Sequence, residues 1–363
     1  MDYPFLPAFG NRPERLVGRS QEVGDFLTGL AAPPGHRDRA TLCLGQRGMG
    51  KTALLLEFAE QAERHGFVTA KATASPQLLS ELVEGVQAGG AKFVQRGRRV
   101  SGASLGVLGF SAGLTFSAEV QERASFRARL SLLCDALAEQ GKGVLLLVDE
   151  VTSASDQIRQ LAACYQELVG EGRNVAIAMA GLPNAVSNVL NDTVLTFLNR
   201  ARKARLAPLA IPDVAVHYAR TFAALGKSLA SRELERAADS TLGYPYLLQL
   251  VGYYLVQLVG TDHSVTADTV DAAVSLSRRA LEDSVFAPSL APLSRRDRAF
   301  LEAMALDTGP SAISQIAQRM GVSPDSAQQT RRRLIAAGVI APAGTGQVAY
   351  SLPYLGEFVR GEL

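Results

Sequence analysis

No charge of one sign dominates this chain. Its 363 residues carry 37 Lys and Arg against 35 Asp and Glu, a formal net charge of +2. A nucleic-acid footprint spread over the whole molecule is therefore not indicated, and any basic face must be local. Cysteine is scarce as well. Cys43, Cys134 and Cys164 lie far apart in apolar surroundings and form no Cys-x-x-Cys pair, so they read as reduced core residues and not as a disulfide framework or thiolate metal site. No stretch approaches the roughly 18 uninterrupted apolar residues of a bilayer span, and residues 1–10 lack a basic start followed by an apolar run; the expectation is a cytoplasmic protein. No repeat with a period of about 20 to 50 residues appears, which sets aside solenoids and propellers. What is present is ordinary for a folded chain, 47% hydrophobic and 20% charged residues. The length suits two or three units, each with its own core.

From Ala40 to Leu209, short apolar runs alternate with helical patterns, the rhythm of βαβ units around a mainly parallel sheet. Strands are expected at Thr41–Leu44, Phe67–Ala72, Val144–Val148 and Val175–Ala180. A helix is expected over Ala53–His65, closed by Gly66. Residues 98–120 break the rhythm: Leu108, Phe110, Ala112, Leu114, Phe116, Ala118 and Val120 fall on alternate positions after the basic cluster Arg96, Arg98 and Arg99. That period predicts a β-hairpin inserted into the core, with an edge extension of the sheet as the alternative. After Pro212 the patterns are all helical, over Val214–Leu225, Arg232–Ser240, Tyr246–Val259 and Ala267–Leu281. Residues 286–293, with two prolines, read as the link to a third unit. The expected division is 1–210, 211–285 and 290–363.

Directly after the first strand stands Gly45-Gln46-Arg47-Gly48-Met49-Gly50-Lys51-Thr52, followed by Ala53 and the first long helix. Strand, glycine-rich turn and helix in that order are the context a phosphate-binding loop requires. Glycines let backbone N–H groups curl towards phosphate oxygens, and the helix dipole adds positive potential. Lys51 is the candidate to reach the β- and γ-phosphates, and the Thr52 hydroxyl the candidate magnesium ligand. Val144–Val148 then ends in Asp149 and Glu150. Asp149 is the second candidate metal ligand and Glu150 the candidate general base for an attacking water. Alone, an acidic pair there could be a solvated strand end; beside a phosphate loop it gains a use.

With these motifs the chain resembles the AAA+ superfamily, and within it the archaeal-type and STAND-like ATPases related to the origin-recognition initiators. The resemblance covers most of residues 5–285. It is carried by Leu16-Val17-Gly18-Arg19 with Glu22, Gly45–Thr52, Leu147–Glu150, Ala180-Gly181-Leu182-Pro183 and the stretch from Thr241 to Gln249. It implies a P-loop core with a parallel sheet, a helical lid, binding of ATP or ADP with Mg²⁺, and contacts to nucleotide from Val17, Gly18, Arg19, Tyr244 and Pro245. It also implies an arginine finger for a neighbouring subunit near Arg200, Arg202 and Arg205, of which Arg200 is the choice; a solvated basic helix face is the alternative. Two departures stand out. The strand ending at Ala180-Gly181-Leu182 lacks the polar residue such ATPases use to sense the γ-phosphate, with Asn184 as a substitute, and no arginine follows Gly243 in the lid. Both favour a slow nucleotide-controlled switch over a processive motor.

From Ser294 onward the order is helix (Arg296–Leu306), helix (Ala312–Met320), a turn at residues 321–324, helix (Asp325–Ala337) and two strands around residues 344–346. Ser323 and Pro324 supply a cap and first turn for the third helix. This order predicts a winged helix and resembles the modules attached to the ATPases named above. Gln328, Gln329, Thr330, Arg331, Arg332 and Arg333 would then offer base-edge and phosphate contacts from a recognition helix in a DNA major groove. The module's own balance is weak, so docking of a protein partner, as in a signalling switch, stays open beside duplex DNA.

Overall fold

The computed structural model describes residues 4–7, 15–93, 110–112, 115–116, 125–190, 192 and 195–361. The chain forms two compact units, one of residues 19–45 and 51–206, the other of residues 1–18, 46–50 and 207–363.

The first unit is α/β. Its strands are β1 (Ala40–Leu44), β2 (Phe67–Thr73), β3 (Phe110–Ala112), β4 (Thr115–Phe116), β5 (Gly143–Val151), β6 (Val175–Gly181) and β7 (Arg202–Arg205). Five of them form a sheet in the order β2-β5-β6-β1-β7 with every neighbour parallel. The helices are α1 (Ser20–Ala31), α2 (Lys51–Arg64), α3 (Leu78–Gly90), α4 (Phe126–Ala138), α5 (Asp156–Gly170) and α6 (Pro183–Leu190). β1 and β6 are buried along their whole length, which is why they read as unbroken apolar runs: a parallel strand covered on both faces has no polar side. Leu54, Leu55, Phe58 and Ala62 of α2 are buried, and the Phe58 ring stacks on Phe26 of α1 with centroids 4.0 Å apart.

The four strands expected from the pattern are present. β7 was not expected, because Arg202-Lys203-Ala204-Arg205 looks like a basic surface run. It pairs with β1 at the sheet edge, Thr41 opposite Arg202 through Leu44 opposite Arg205. Charged side chains on an edge strand are a common guard against pairing with other chains. Of the expected hairpin, Phe110–Ala112 pairs antiparallel with Thr115–Phe116, Phe110 opposite Phe116; the rest of residues 98–120 lies outside the described residues.

The second unit begins with four helices, α7 (Ile211–Ala224), α8 (Ser231–Asp239), α9 (Pro245–Val259) and α10 (Ala267–Leu281), with the short parallel pair β8 (Ser228–Leu229) and β9 (Ser264–Val265). Their core contains Val214, Tyr218, Phe222, Val251, Leu255 and, from the N-terminal segment, Phe5. Gly252 makes that insertion possible: a Cβ there would lie 2.4 Å from the Phe5 ring.

Residues 286–293, expected as a link, are helical in their first part. α10 runs on through a π-helical turn, Glu282–Phe286, into α11 (Ala287–Leu290), where Val285, Phe286, Ser289 and Leu290 are buried. Pro288 stands at the junction where the π turn gives way to α11, so the N–H it lacks falls where the helical bonding changes register.

The C-terminal elements are α12 (Arg295–Ala305), β10 (Ser311–Ala312), α13 (Ile313–Met320), α14 (Pro324–Ala336), β11 (Ile340–Pro342), β12 (Gln347–Tyr350) and α15 (Leu355–Arg360), with an antiparallel sheet in the order β10-β12-β11. Ser294 and Asp297 form a capping box on α12, and Ser323 caps α14 ahead of Pro324. α15 was not expected. The Tyr354 hydroxyl just before it donates to the Ser240 carbonyl (2.6 Å), Arg278 of α10 lies over the Tyr354 ring, and Phe358 meets Phe286.

Candidate functional site

Thr52 and Asp149 come together in the α/β unit. Thr52 is in the first turn of α2 and Asp149 near the end of β5, and the Thr52 hydroxyl donates to Asp149 Oδ2 at 2.7 Å. Asp149 is 5% exposed. A hydroxyl and a carboxylate held together in this way are an all-oxygen pair of the kind magnesium takes. Lys51 Nζ donates to the Gly45 carbonyl at 3.0 Å, and the Gly45 N–H reaches the Gly181 carbonyl at 3.4 Å.

Glu150 has a backbone few residues adopt, φ 56°. Between Val148 and Val151 the pairing with β6 slips, so that three steps on β5 match two on β6. This bulge turns Glu150 out to solvent while its N–H donates to Asp149 Oδ1 at 2.9 Å. One extra residue thus separates the directions of the two carboxylates, one buried and one exposed. A left-handed conformation at a non-glycine residue costs energy and tends to persist where function requires it. Gly181 gives the bulge its room, because a Cβ there would meet the Val151 carbonyl oxygen at 2.4 Å. The apolar end of β6, where a polar sensor was missing from the sequence, thus has a packing task. Asn184 is half-buried on α6.

Lys71 was missed in the sequence. It sits on β2 two residues before Thr73, which pairs with Asp149, and its Nζ lies 4.0 Å from Asp149 Oδ2. Only the β2–β5 register brings these side chains together, and no local string signals it. Cys43 on β1 has a thiol pushed up to about 12 by burial, with the charges of Asp149 and Glu22 adding to the effect; it is a core residue and not a nucleophile. Arg19 is buried at the start of α1. Burial lowers its pKa, and Glu22, 3.5 Å away, opposes that shift. Arg200 closes a short 3₁₀ turn ahead of β7 and is exposed. Arg202 is committed within the unit, to Asp25 at 2.9 Å and Asp38 at 3.2 Å.

In the other unit, residues 46–50 lie with the helices. Gly48 and Gly50 have φ of 71° and 81°, values at which glycine pays no steric penalty, and the Met49 N–H turns back to the Gln46 carbonyl. The Tyr244 hydroxyl donates to the Arg47 carbonyl at 2.6 Å, and Arg47 Nη1 donates to Ser289 Oγ at 3.1 Å. Tyr244 is the residue before α9 and Pro245 fills the helix's first position; Gly50 lies beside Pro245, its Cβ position 3.9 Å from the ring. Val17 packs against the helical core, and Gly18, with φ 62°, lies beside Leu209 and Asp213. The contacts from Tyr244 and Ser289 to the loop were also missed, for the same reason as Lys71.

On α14, Gln329, Arg332 and Arg333 are exposed, while Gln328 and Arg331 are half-buried and bonded to each other. Arg333 donates to Asp297 at 2.7 and 3.2 Å, so it has a structural task as well as an exposed face. Thr330 is fully buried and donates to the Ser326 carbonyl, which removes it from any outward-facing set.

A family model described as an AAA ATPase domain matches residues 15–178. That match agrees with the fold, a parallel sheet with surrounding helices consistent with the AAA+ P-loop NTPase architecture. A second family model, a domain of unknown function, matches residues 283–359. Among solved structures, a Walker-type ATPase of Pyrococcus abyssi is similar over 96% of this chain and 97% of its own, with TM-score 0.72 and 17% identity. The ORC2 protein of Aeropyrum pernix in ADPNP–ADP complexes is similar over 98% and 96%, with TM-score 0.63 and 18% identity. Cdc6p of Pyrobaculum aerophilum is similar over 98% and 96%, with TM-score 0.53 and 16% identity. At such identities the likeness is one of fold, and it extends beyond residues 15–178 to nearly the whole chain. No curated protein matches in sequence. Among the described residues no helix is long and apolar enough to cross a membrane.

Proposed function

We propose that the protein is a slow ATP-driven switch whose C-terminal elements form a winged helix that binds duplex DNA. The Thr52–Asp149 hydrogen bond supports the chemical half of this reading. Both groups would hold Mg²⁺, which when bound would supply positive charge to the phosphates. Lys51 would neutralise the phosphates, and Glu150, exposed at the bulge, would orient an attacking water and take its proton. Val17, Gly18, Arg19, Tyr244 and Pro245 would serve the nucleotide, and Arg200 would act across an interface between copies. The missing polar residue at the end of β6 supports slow turnover.

The single observation that carries the DNA reading is α14 itself. It follows α13 and a three-residue turn, and it presents Gln329 and Arg332 outward on one helical stripe. Such side chains suit a helix in a major groove. The commitment of Arg333 to Asp297 favours the second reading, a winged helix that docks a protein, because it leaves fewer cations for phosphate. Titrating the full chain into labelled duplex DNA at several salt concentrations separates the two. DNA binding should weaken linearly on a log–log plot, and Arg332→Ala should reduce the slope by about one. Absence of binding at low salt would remove DNA as the partner. Molar mass in solution with ATP, with ADP and without nucleotide tests Arg200: a monomer in all three states leaves it without a target.

A further inference from the structure

The phosphate loop carries, between Arg47 and Gly48, a peptide whose direction the loop itself does not fix. In a trans peptide the carbonyl and the following N–H point to opposite sides. Between Arg47 and Gly48 the second residue is glycine, which takes φ of either sign at little cost, so this peptide can face either way unless an external group chooses. The Tyr244 hydroxyl is such a group. It donates to the Arg47 carbonyl at 2.6 Å, and the loop is pressed against it: a Cβ on Gly48 would lie 2.0 Å from the phenol oxygen and 2.4 Å from Cζ.

The phenol cannot easily swing away. Tyr244 is 3% exposed. The preceding Gly243 is locked against Leu209, its carbonyl accepting the Leu209 N–H at 2.7 Å and its Cβ position only 2.2 Å from the Leu209 oxygen. The buried Thr241 hydroxyl accepts the Gly243 N–H at 3.2 Å and donates to the Ala238 carbonyl at 2.6 Å. Burial raises the phenol's pKa, so the hydroxyl keeps its proton and remains a donor.

We infer that Tyr244 is a positioning residue for the phosphate loop: by holding the Arg47 carbonyl it aims the Gly48 N–H at the bound phosphates. This rests on the nucleotide reading of the loop and assigns Tyr244 to the polyphosphate, where resemblance had placed it against the nucleotide as a whole. Its loss should fall on ligands that carry a polyphosphate and spare those that do not.

The test compares the full-length wild type, Tyr244→Phe and Ser289→Ala in competition with a fluorescent ADP, using ATP, ADP, inorganic pyrophosphate and adenosine as probes. Tyr244→Phe keeps the ring and frees the peptide. It should weaken ATP, ADP and pyrophosphate by a common factor of about ten, the worth of one hydrogen bond, with adenosine unchanged. Ser289→Ala releases only the Arg47 side chain and should leave pyrophosphate binding unchanged. Unaltered pyrophosphate affinity in Tyr244→Phe would overturn the proposal, as would an equal loss for adenosine or an equal loss in Ser289→Ala. A wild type that binds none of these ligands would overturn the nucleotide reading itself.

Discussion

The two units hold their polar groups in place by partly different means. In the α/β unit the cross-links outside the sheet are largely charge pairs: Arg202 with Asp25 and Asp38, Arg159 with Asp192, Arg173 with Asp135. The helical unit has charge pairs too, Arg236 with Asp271, Arg319 with Asp307 and Arg333 with Asp297, and adds phenols on backbone carbonyls: Tyr218 on Leu248, Tyr244 on Arg47, Tyr350 on Leu301 and Tyr354 on Ser240, all between 2.6 and 2.8 Å. A buried tyrosine gives a backbone carbonyl a further donor, within a helix as at Leu248 and Leu301, in a loop as at Arg47 or at a helix end as at Ser240, while its ring fills the core. The α/β unit carries the candidate chemistry at Asp149 and Glu150, and the helical unit adds phenols that fix position.

The largest effect expected belongs to that chemistry. Glu150→Gln should lower ATP turnover by about 10²- to 10⁴-fold, the usual worth of a general base, while equilibrium binding of ATP stays near wild type. Loss of binding together with turnover would show that Glu150 serves the bulge more than the reaction.

Cross-links should rank next. Tyr218 is fully buried, and Tyr218→Phe removes the phenol's hydrogen bond to the Leu248 carbonyl, for about 0.5–1.5 kcal/mol of stability. Arg202→Ala removes a pair open to water and should cost no more than about 1 kcal/mol, less at high salt. Denaturant melts of both variants at two ionic strengths measure the contrast; an Arg202 effect exceeding that of Tyr218 would reverse it.

Asp297 joins the two styles, since it caps α12 and also pairs with Arg333. Burial acts to raise its pKa, but the Ser294 hydroxyl, the Arg333 guanidinium and the Ser294 N–H together hold it below the ordinary 3.8. A folded-state pKa below the unfolded value means that the carboxylate's contribution is complete above that value and lost as pH falls through the folded one. Wild type should therefore lose stability faster than Asp297→Asn on acidification below about pH 4. Parallel melting curves against pH would contradict this.

The smallest effect concerns the thiols. Burial pushes Cys43, Cys134 and Cys164 each up to about 12, so native protein near pH 8 should react with an aromatic disulfide reagent orders of magnitude more slowly than unfolded chain. Prompt labelling would point to local opening of the α/β unit, at the sheet for Cys43 and at its helices for Cys134 and Cys164.

What could be read from the sequence was what is local. The phosphate loop, the Asp149-Glu150 strand end, the four apolar strands and the caps at Ser323 and Pro324 are each contained in a few consecutive residues. What could not be read depends on register between distant segments. Lys71 meets Asp149 only because β2 pairs with β5, and Tyr244 meets Arg47 across nearly two hundred positions. β7 was hidden because an edge strand need not be apolar. Residues 286–293 were read as a link because prolines usually break helices, and here Pro288 falls just after the π turn, where the helical bonding changes register.

That turn is where the rod from Ala267 to Leu290 stores a spare residue. A π turn accommodates one more residue than the α-helix around it, and one residue of α-helix is about 100° of rotation. Deleting any one of residues 282–286 would let the turn revert to α-helix and leave everything beyond it near its original phase, whereas deleting a residue within Ala267–Leu281 would turn the far end by that angle. Ser289 would then face away from Arg47, and the following helices would start from a different heading. These five positions are therefore where the rod can lose a count and keep its direction.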